Sequence, residues 1–498
     1  MNKRIGCFVL ILLFISGMLA FAGGEKEDGK EGPVKVRFVI PGNPEQDADI
    51  VQAEINRKLM EDGQNLELKL VYIPWDVWDQ KTNLMLTTGE EFELMQVMED
   101  RHGFSDYAAK GAIVPIDEYI DKYGTALKKV IPEPVWNAVR VNGKITAIPA
   151  YRQSAATDRY YWTIRKDLLK ENNLAIPTTP AELLNAAEII KKNWKGDGEL
   201  YIPIRSNTDA FFFLHRSYDS FPFTVFQKLI RIDQDGKVSL WVESEEFKKD
   251  CEFFREAYNR GLIHQDILGQ PNDWALNQLM SARFAFVPQC PLNLWPKMKK
   301  NNSDMKMDDI VTVRFNPEKP AFSFNLFGND NVIPSTTSHP EAGVKYLNWV
   351  YSSQENYDLH FYGIEGRHWK KAPNHRRISI LDPDTGKSNY RFREWMAGNV
   401  EYLRYEESAH PRFVELFSKT PEDTEYSLAI GFNFDAASVQ AEYTSCLNEY
   451  NSSMVPIALG LVDYEENFPI ALKRLKAAGI DKVVKEYKRQ LNDWLATK

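Results

Sequence analysis

Three apolar segments near the start of the chain alternate with two segments of helical spacing. The strands are predicted at residues 34–40, 66–74 and 92–98, and the helices at 48–62 and 75–88. Strands that alternate with helices in this way are typical of a parallel sheet with helices on both faces. In such sheets ligands bind beyond the carboxyl ends of the strands. The pattern therefore predicts an α/β fold with a candidate site at those strand ends.

Polar residues follow two of the predicted strands. Asn43 lies in the loop after the first, and Glu99, Asp100 and Arg101 come directly after the third. Their position predicts that these four side chains bind ligand. The alternative is that they cap helices or remain solvated at the rim of the sheet.

Length and charge narrow the class of protein. A chain of 498 residues is longer than one hydrophobic core usually serves, so two domains or a two-lobed unit are expected. The formal net charge of -9 argues against a nucleic-acid binder, which normally carries a basic face. Cys251, Cys290 and Cys446 can form at most one disulfide, and buried free thiols are the simpler expectation.

The N-terminal residues have the pattern of an export signal. Lys3 and Arg4 precede an apolar run at 7–20, and Ala20 and Ala22 satisfy the small-residue cleavage rule. The run is too short to span a bilayer comfortably, and no later stretch is long and apolar enough to do so. We therefore predict a signal peptide at 1–22, a flexible polar linker at 23–33, and a soluble protein outside the cytoplasm.

Beyond residue 140 the alternation of predicted strands and helices ends. A turn signal at 141–144 predicts a hairpin, and the extended chain that follows carries Tyr151 and Arg152, two further ligand-binding candidates. A helix is predicted to begin after Thr179, with Glu182 completing a capping box.

Further elements are predicted along the second half of the chain. Asp235-Gly236 marks a hairpin turn, residues 245–262 an amphipathic helix, and residues 282–287 a strand. One long helix is predicted over 335–359, with Ser338 and Glu341 as its capping box. The C-terminal pattern is helical and ends in an amphipathic helix whose apolar side is Ile480, Val483, Val484, Tyr487, Leu491 and Trp494.

The segment FYGIEGRHWK at 361–370 follows the long helix and is predicted to be a loop. Gly363 and Gly366 adopt backbone angles that other residues resist. Glu365, Arg367 and Trp369 are its ligand-binding candidates. The alternatives are a surface ion pair for the two charged residues and a packed core position for the tryptophan.

Catalytic motifs are missing from the sequence. It has no His-Glu-x-x-His, no Gly-x-Ser-x-Gly and no cysteine pair at zinc spacing, and the histidines do not cluster. The segment DPDTGKS at 382–388 ends like a phosphate loop, but Leu381 stands where the first glycine is required. We expect no metal, no cofactor and no enzyme. Glycoside hydrolysis needs only a suitably spaced pair of carboxylates, which sequence spacing does not test.

Four segments resemble the extracellular solute-binding proteins of ABC importers, family 1, and specifically the lipoprotein-type sugar-binding subgroup. FSDYAAKGAIVPIDEYIDKYG at 104–124 is similar to the segment after the third strand, and YGIEGRHW at 362–369 to a loop of the subgroup. GFNFD at 431–435 and residues 459–494 resemble the domain of unknown function that ends such chains. Gly23 stands where the subgroup has its lipid-acceptor cysteine, so a free periplasmic or cell-surface protein is expected.

The resemblance implies a two-lobed periplasmic-binding-protein fold, type II-like, with hinge crossovers and a helical C-terminal extension. The hinge candidates are 148–162 and 315–335. The expected division of the chain is an N-terminal α/β lobe of 34–147 with 312–350, a C-terminal α/β lobe of 148–311 with 351–430, and a mostly helical region of 431–498.

The function that the resemblance implies is capture of a carbohydrate, an oligosaccharide, for delivery to an ABC permease by a monomeric receptor. A sugar needs flat aromatics beside hydrogen-bonding side chains, so Trp274 and Trp295 are candidates from the second lobe. Trp75 and Trp78 have helical spacing among apolar neighbours and are predicted to be core. The alternatives are a receptor for a peptide or another polar solute and a secreted carbohydrate-active hydrolase.

Overall fold

The computed structural model of the chain describes residues 32–98, 103–152, 160–204, 212–271, 273–323, 329–418, 423–432 and 434–496. The predicted signal peptide, most of the predicted linker, and the candidates Glu99, Asp100 and Arg101 lie outside these residues. From Val34 onward the chain forms one compact unit.

The strands lie between Val34 and Tyr426, and most of them are short. They are β1 Val34–Pro41, β2 Leu66–Ile73, β3 Leu94–Met98, β4 Arg140–Val141, β5 Lys144–Ile145, β6 Ile148–Pro149, β7 Trp162–Arg165, β8 Phe223–Phe226, β9 Ile230–Asp233, β10 Val238–Leu240, β11 Phe286–Val287, β12 Ile310–Val313, β13 Phe322–Ser323, β14 Asn329–Val332, β15 Trp369–Lys371, β16 Arg377–Ser379 and β17 Glu425–Tyr426.

The α-helices lie between and after these strands. They are α1 Ala48–Glu61, α2 Trp78–Thr88, α3 Phe104–Ala109, α4 Asp117–Tyr123, α5 Thr125–Val130, α6 Glu133–Ala138, α7 Lys166–Glu171, α8 Pro180–Asn193, α9 Phe212–His215, α10 Glu245–Asn259, α11 Trp274–Met280, α12 Trp295–Asn301, α13 Pro340–Ser352, α14 Gln354–Tyr362, α15 Glu394–Ala397, α16 Pro411–Ser418, α17 Gln440–Glu449, α18 Val455–Ala458, α19 Tyr464–Ala477 and α20 Ile480–Leu495.

The first sheet has the strand order β2-β1-β3-β14-β6. β1 pairs in parallel with both β2 and β3, and Phe38 stands opposite Leu70 and Leu94. β14 runs antiparallel to β3 and β6, so the sheet is mixed rather than wholly parallel. The three predicted strands and two predicted helices are confirmed, although α2 begins at Trp78 rather than at Trp75.

A second set of strands forms the other lobe. β7 lies between β11 and β12 and is antiparallel to both. β8, β9 and β10 form a meander whose predicted Asp235-Gly236 turn joins β9 to β10. The strand predicted at 282–287 covers only Phe286 and Val287.

Two helix predictions need correction. The stretch predicted as one helix over 335–359 is two helices, because Ser353 is extended and its side chain accepts a hydrogen bond from the Asn356 N–H at 3.2 Å. The capping box predicted there is also wrong, since His339 is the cap residue and the Ser338 hydroxyl donates to Glu91 instead. At α8 the Thr179 cap is confirmed, with the Glu182 N–H at 3.2 Å.

Two large hydrophobic cores divide the described chain into lobes. The first gathers buried residues between Val36 and Tyr151 and between Val332 and Val400. The second gathers residues between Tyr160 and Phe286, with Phe315 and Phe322, and continues with residues between Cys446 and Leu491. The packing therefore differs from the expected division, because residues 351–400, expected in the second lobe, pack in the first core.

The C-terminal helices are part of the second lobe. Ile480, Val483, Tyr487 and Leu491 are buried on the apolar side predicted for α20, and Cys446 lies in the same core as Cys251. Gly460 has a φ of 71°, and a Cβ there would lie 2.3 Å from the backbone of Phe254 on α10. The C-terminal region is thus packed tightly on the second lobe.

The lobes are joined where the chain leaves one sheet and enters the other. One crossing runs from β6 in the first sheet to β7 in the second, and another returns from β12 to β14. These crossings overlap the hinge candidates at 148–162 and 315–335. Hinge motion itself remains a prediction.

The buried His360 on α14 should make the protein sensitive to acid. Complete burial lowers the pKa of its imidazole to about 3. Below about pH 6.5 the unfolded chain takes up a proton that the folded chain excludes, so stability falls as the pH falls toward 3. Between pH 6.5 and 4.5 this group should remove about 2.5 kcal/mol of unfolding free energy.

Chemical denaturation of His360→Gln at several pH values tests this expectation. Glutamine keeps a polar partner near the Tyr346 hydroxyl, which lies 2.8 Å from His360 Nδ1. The variant should lose less stability on acidification than the wild type. His339→Gln, at an exposed position, is the matched exchange. Equal acid losses in wild type and His360→Gln would contradict the expectation.

Candidate functional site

Two tryptophans form an accessible aromatic pair at the carboxyl ends of β1 and β2. Trp75 follows the end of β2 and is 43% exposed, and its ring centroid lies 5.9 Å from that of Trp395 on α15. The first residue after β1 is Gly42, at φ 115°, where a Cβ would lie 4.0 Å from Trp75 Nε1. The pair therefore stands at the edge of the sheet where a ligand is expected.

The prediction that Trp75 belongs to the core was wrong. Trp78, three residues later, is 3% exposed and packs in the first core, so the helical spacing identified only one of the two correctly. The relevant signal in the sequence was the position of Trp75 directly after a strand and before the start of α2. Trp395 had no signal of its own, because it reaches the sheet from a distant part of the chain.

Charged side chains lie beside the aromatic pair. Arg393, two residues before Trp395, places Nη2 3.3 Å from Oε1 of Glu45 in the loop between β1 and α1. Asn43 is exposed in that same loop. The arrangement offers hydrogen-bond donors and acceptors next to an aromatic surface.

Tyr151 and Arg152 lie next to α15. The carbonyl of Tyr151 accepts a hydrogen bond from the Val400 N–H at 2.7 Å, and a Cβ at Gly398 would lie 2.7 Å from Arg152 Cβ. Arg152 is half-buried and Tyr151 is buried. The structure thus brings Asn43, Arg152 and the tryptophan pair to one region of the first lobe.

A chamber of about 910 Å³ opens beside this region and is bordered by both lobes. On the first-lobe side it is lined by residues of the segment 361–408, together with Glu45, and on the other side by Lys297 of α12. The other charged residues along its wall include Arg377, Arg391, Arg393 and Glu406. Glu45 and Arg393 line the chamber, and Arg393 is two residues from Trp395 in the sequence, whereas Trp75 and Trp395 are not part of the chamber wall.

The loop at 361–370 is fastened to the start of α1. His368 donates from Nε2 to Asp47 Oδ2 at 3.0 Å, and Arg367 donates from Nε to the same oxygen at 2.8 Å. His368 Nδ1 accepts from the Ile364 N–H at 2.9 Å. A Cβ at Gly363, at φ 79°, would lie 2.6 Å from that Nδ1, so glycine is needed there.

The surroundings of Asp47 and His368 determine the protonation state of each side chain. The hydrogen bond from Arg367 lowers the pKa of Asp47, which favours the carboxylate. Burial lowers the pKa of His368, which favours the neutral imidazole. A neutral histidine that donates from Nε2 and accepts at Nδ1 matches the observed contacts. The loop is therefore held in place and is not a free connection.

The three candidates of this loop have different surroundings. Glu365 is exposed and pairs with Lys371 at 3.2 Å, and Arg367 is committed to Asp47. Trp369 is 2% exposed, donates from Nε1 to the Gly363 carbonyl at 2.9 Å, and lies in the chamber wall. Of the three, only Trp369 borders the chamber.

The second-lobe tryptophans are not brought together with the others. Trp274 is half-buried, with its ring centroid 5.7 Å from that of His264. Trp295 is 2% exposed in a small core cluster and lies edge-on to His410, at 5.4 Å between ring centroids. Trp295 begins α12, so its packing positions Lys297 at the chamber. Ligand contact by either tryptophan remains a prediction.

No group of three or more His, Cys, Asp or Glu side chains in the described ranges could hold a metal ion. None of the helices in those ranges is long and apolar enough to cross a membrane.

The sequence matches two known families. Residues 54–363 match the family of bacterial extracellular solute-binding proteins, and the chain belongs to this family. Residues 428–496 match a domain of unknown function. A carbohydrate ABC transporter substrate-binding protein of Streptococcus pneumoniae is 24% identical over 480 residues, which are 95% of this chain and 93% of that protein.

Solved structures share the fold. The N-glycan transport solute binding protein NgtS of Streptococcus pneumoniae superposes with a TM-score of 0.72 at 20% identity, covering 93% of this chain and 99% of NgtS. An extracellular solute-binding protein from Bifidobacterium longum subsp. infantis gives 0.66 at 16% identity, covering 93% and 99%. The expected two-lobed solute-binding fold is confirmed.

Proposed function

We propose that the protein is an extracytoplasmic receptor that captures an oligosaccharide between its lobes and delivers it to an ABC permease. The observation that carries this proposal is the Trp75–Trp395 pair at the carboxyl ends of β1 and β2, together with the chamber whose wall includes Glu45 and Arg393. Sugars present apolar C–H faces that pack on indole rings and hydroxyls that pair with charged side chains. A monomer without catalytic activity is sufficient for this role.

The size of the site and the relatives both favour an oligosaccharide. A volume of about 910 Å³ is near the upper end of ordinary ligand pockets. NgtS has been solved in complexes with Man1GlcNAc and Man5GlcNAc. The substrate-binding protein FusA of Streptococcus pneumoniae, with a TM-score of 0.56 at 16% identity over 93% of this chain and all of FusA, has been solved with kestose.

Lobe closure around the ligand is supported by how the returning crossing is held. Arg216 is fully buried and donates to the carbonyls of Phe315, Asn316, Lys319 and Pro320, at 2.6 to 3.1 Å. This network fastens residues 315–320 to the second lobe. We propose that hinge motion occurs outside this fastened stretch, which stays with the second lobe.

The function is tested by thermal unfolding of the mature protein with mono- and oligosaccharide and peptide panels. A ligand that binds only the folded state raises the melting temperature, and we expect this for an oligosaccharide that is recovered unchanged. X-ray scattering should show a smaller radius of gyration with that ligand. Turnover of the sugar would favour the hydrolase, and stabilisation by peptides alone would favour a peptide receptor.

A further inference from the structure

The charges around the chamber differ in sign from the protein as a whole. The chain has a formal net charge of -9. Among the described residues that line the chamber, the cations outnumber the carboxylates: Lys297, Arg377, Lys387, Arg391 and Arg393 face Glu45, Glu406 and Glu407. A recessed wall with excess positive charge produces a positive electrostatic potential in the chamber, which attracts anionic ligands.

Part of this charge is neutralised within the wall. Arg377 pairs with Glu406 at 2.5 Å, and Arg393 with Glu45 at 3.3 Å. These pairs explain why the wall is stable without ligand. Arg377 is also buried, with 3% of its side chain exposed, so it is not available for a new anion.

Three cations of the chamber wall can still bind an anion. Lys297 and Lys387 are exposed at the chamber, and neither ammonium has an ion-pair partner among the residues that the structure describes. Arg391 contacts Glu394 through Nη2 only, at 2.9 and 3.2 Å. A guanidinium with a free Nη1 can pair with a carboxylate, and two ammonium groups in the same chamber wall add to the attraction for an anion.

We infer that the chamber binds the carboxylate of an acidic sugar unit, with Arg391 as its anchor and Lys297 and Lys387 beside it. The inference rests on the proposed receptor function and specifies its ligand class: an oligosaccharide that carries a uronic or sialic acid. Lys297 comes from the second lobe and the other two cations from the segment 361–408, so the acidic unit is held from both sides of the cleft.

Matched saccharide pairs test the inference with the mature protein. Calorimetry compares trigalacturonate with its methyl ester and 3′-sialyllactose with lactose. At least one acidic member should bind about tenfold more tightly than its neutral counterpart, and the preference should shrink as salt rises from about 50 to about 500 mM. Equal affinities in both pairs, or binding of neutral oligosaccharides only, would overturn the inference and leave the receptor function intact. Failure of every saccharide would overturn both.

Substitutions at Lys297, Lys300 and Arg391 test whether the chamber wall causes the preference for acidic sugars. Lys297→Gln should reduce the preference for the acidic member over the neutral one severalfold, and Lys297→Arg should retain the preference. Lys300→Gln lies on the same helix, is exposed and does not line the chamber, so it is the control. Arg391→Gln should abolish the preference. Unchanged discrimination in both glutamine variants would exclude the chamber as the acidic subsite.

Discussion

Trp75→Ala should weaken oligosaccharide binding about 30-fold while the free protein stays folded. An aromatic ring covered by ligand contributes about 2 kcal/mol of apolar burial, which corresponds to that factor in the dissociation constant. Because Trp75 is 43% exposed without ligand and lies outside the buried core, its removal leaves the core of the free protein intact. Calorimetric titration with a sugar identified by thermal shift measures the affinity.

Two further variants make the tryptophan experiment specific. Trp75→Phe keeps a flat ring and should recover part of the affinity. Leu84→Ala removes a large apolar side chain that is 57% exposed on α2, and it should leave binding unchanged. Wild-type affinity in Trp75→Ala would remove the aromatic pair from the binding site.

Asp358→Ala should lower the unfolding free energy by about 3 to 5 kcal/mol, because it leaves a buried guanidinium without its counter-charge. Arg404 Nε contacts both Asp358 oxygens, at 2.8 and 2.9 Å, and the two side chains are only 8% and 7% exposed. Arg404 also donates from Nη1 to the His375 carbonyl and lies over the Trp369 ring, so the pair fastens the loops around the chamber. Urea denaturation measures the loss.

Two control variants test whether the unpaired buried charge causes the loss of stability. Asp121→Ala breaks an exposed pair with Lys128 in the same lobe and should leave the urea midpoint nearly unchanged. Asp358→Leu combined with Arg404→Met removes both charges together and should recover much of the stability lost by Asp358→Ala. A single variant as stable as the wild type would show that the buried pair contributes little.

The predictions that rested on local pattern were the most accurate. The alternation of period-two and helical segments located β1 to β3, α1 and α2, because backbone hydrogen bonding and side-chain periodicity act within a few residues. Ser353, which ends one helix and caps the next, was missed because a single residue's backbone angles depend on its neighbours in the fold. The lobe assignment of 351–400 depended on packing against distant strands.

The candidate site also combines residues that local sequence patterns predicted with residues that only the packing of distant elements brings together. Asn43 and Arg152 were predicted from their place after a strand and in a crossing, and their contact with a ligand remains a prediction. Trp395 and Lys297 were missed, since each reaches the site from an element that carries no motif. Trp295 was chosen for its residue type, yet its ring is packed in a core cluster. Residue chemistry names candidates, but the exposed surface decides which of them can contact a ligand.

Both cores are assembled from stretches far apart in the sequence, and this has a consequence for how the chain acquires its structure as it is made. The first core requires residues up to Val400 and the second requires Leu491, near the end of the last helix. An emerging chain that has reached only its middle therefore lacks β14, α13 and α14, which complete the first core. The first lobe cannot reach its full packing before Val400 has been made, nor the second before Leu491, so both lobes become stable only late in synthesis.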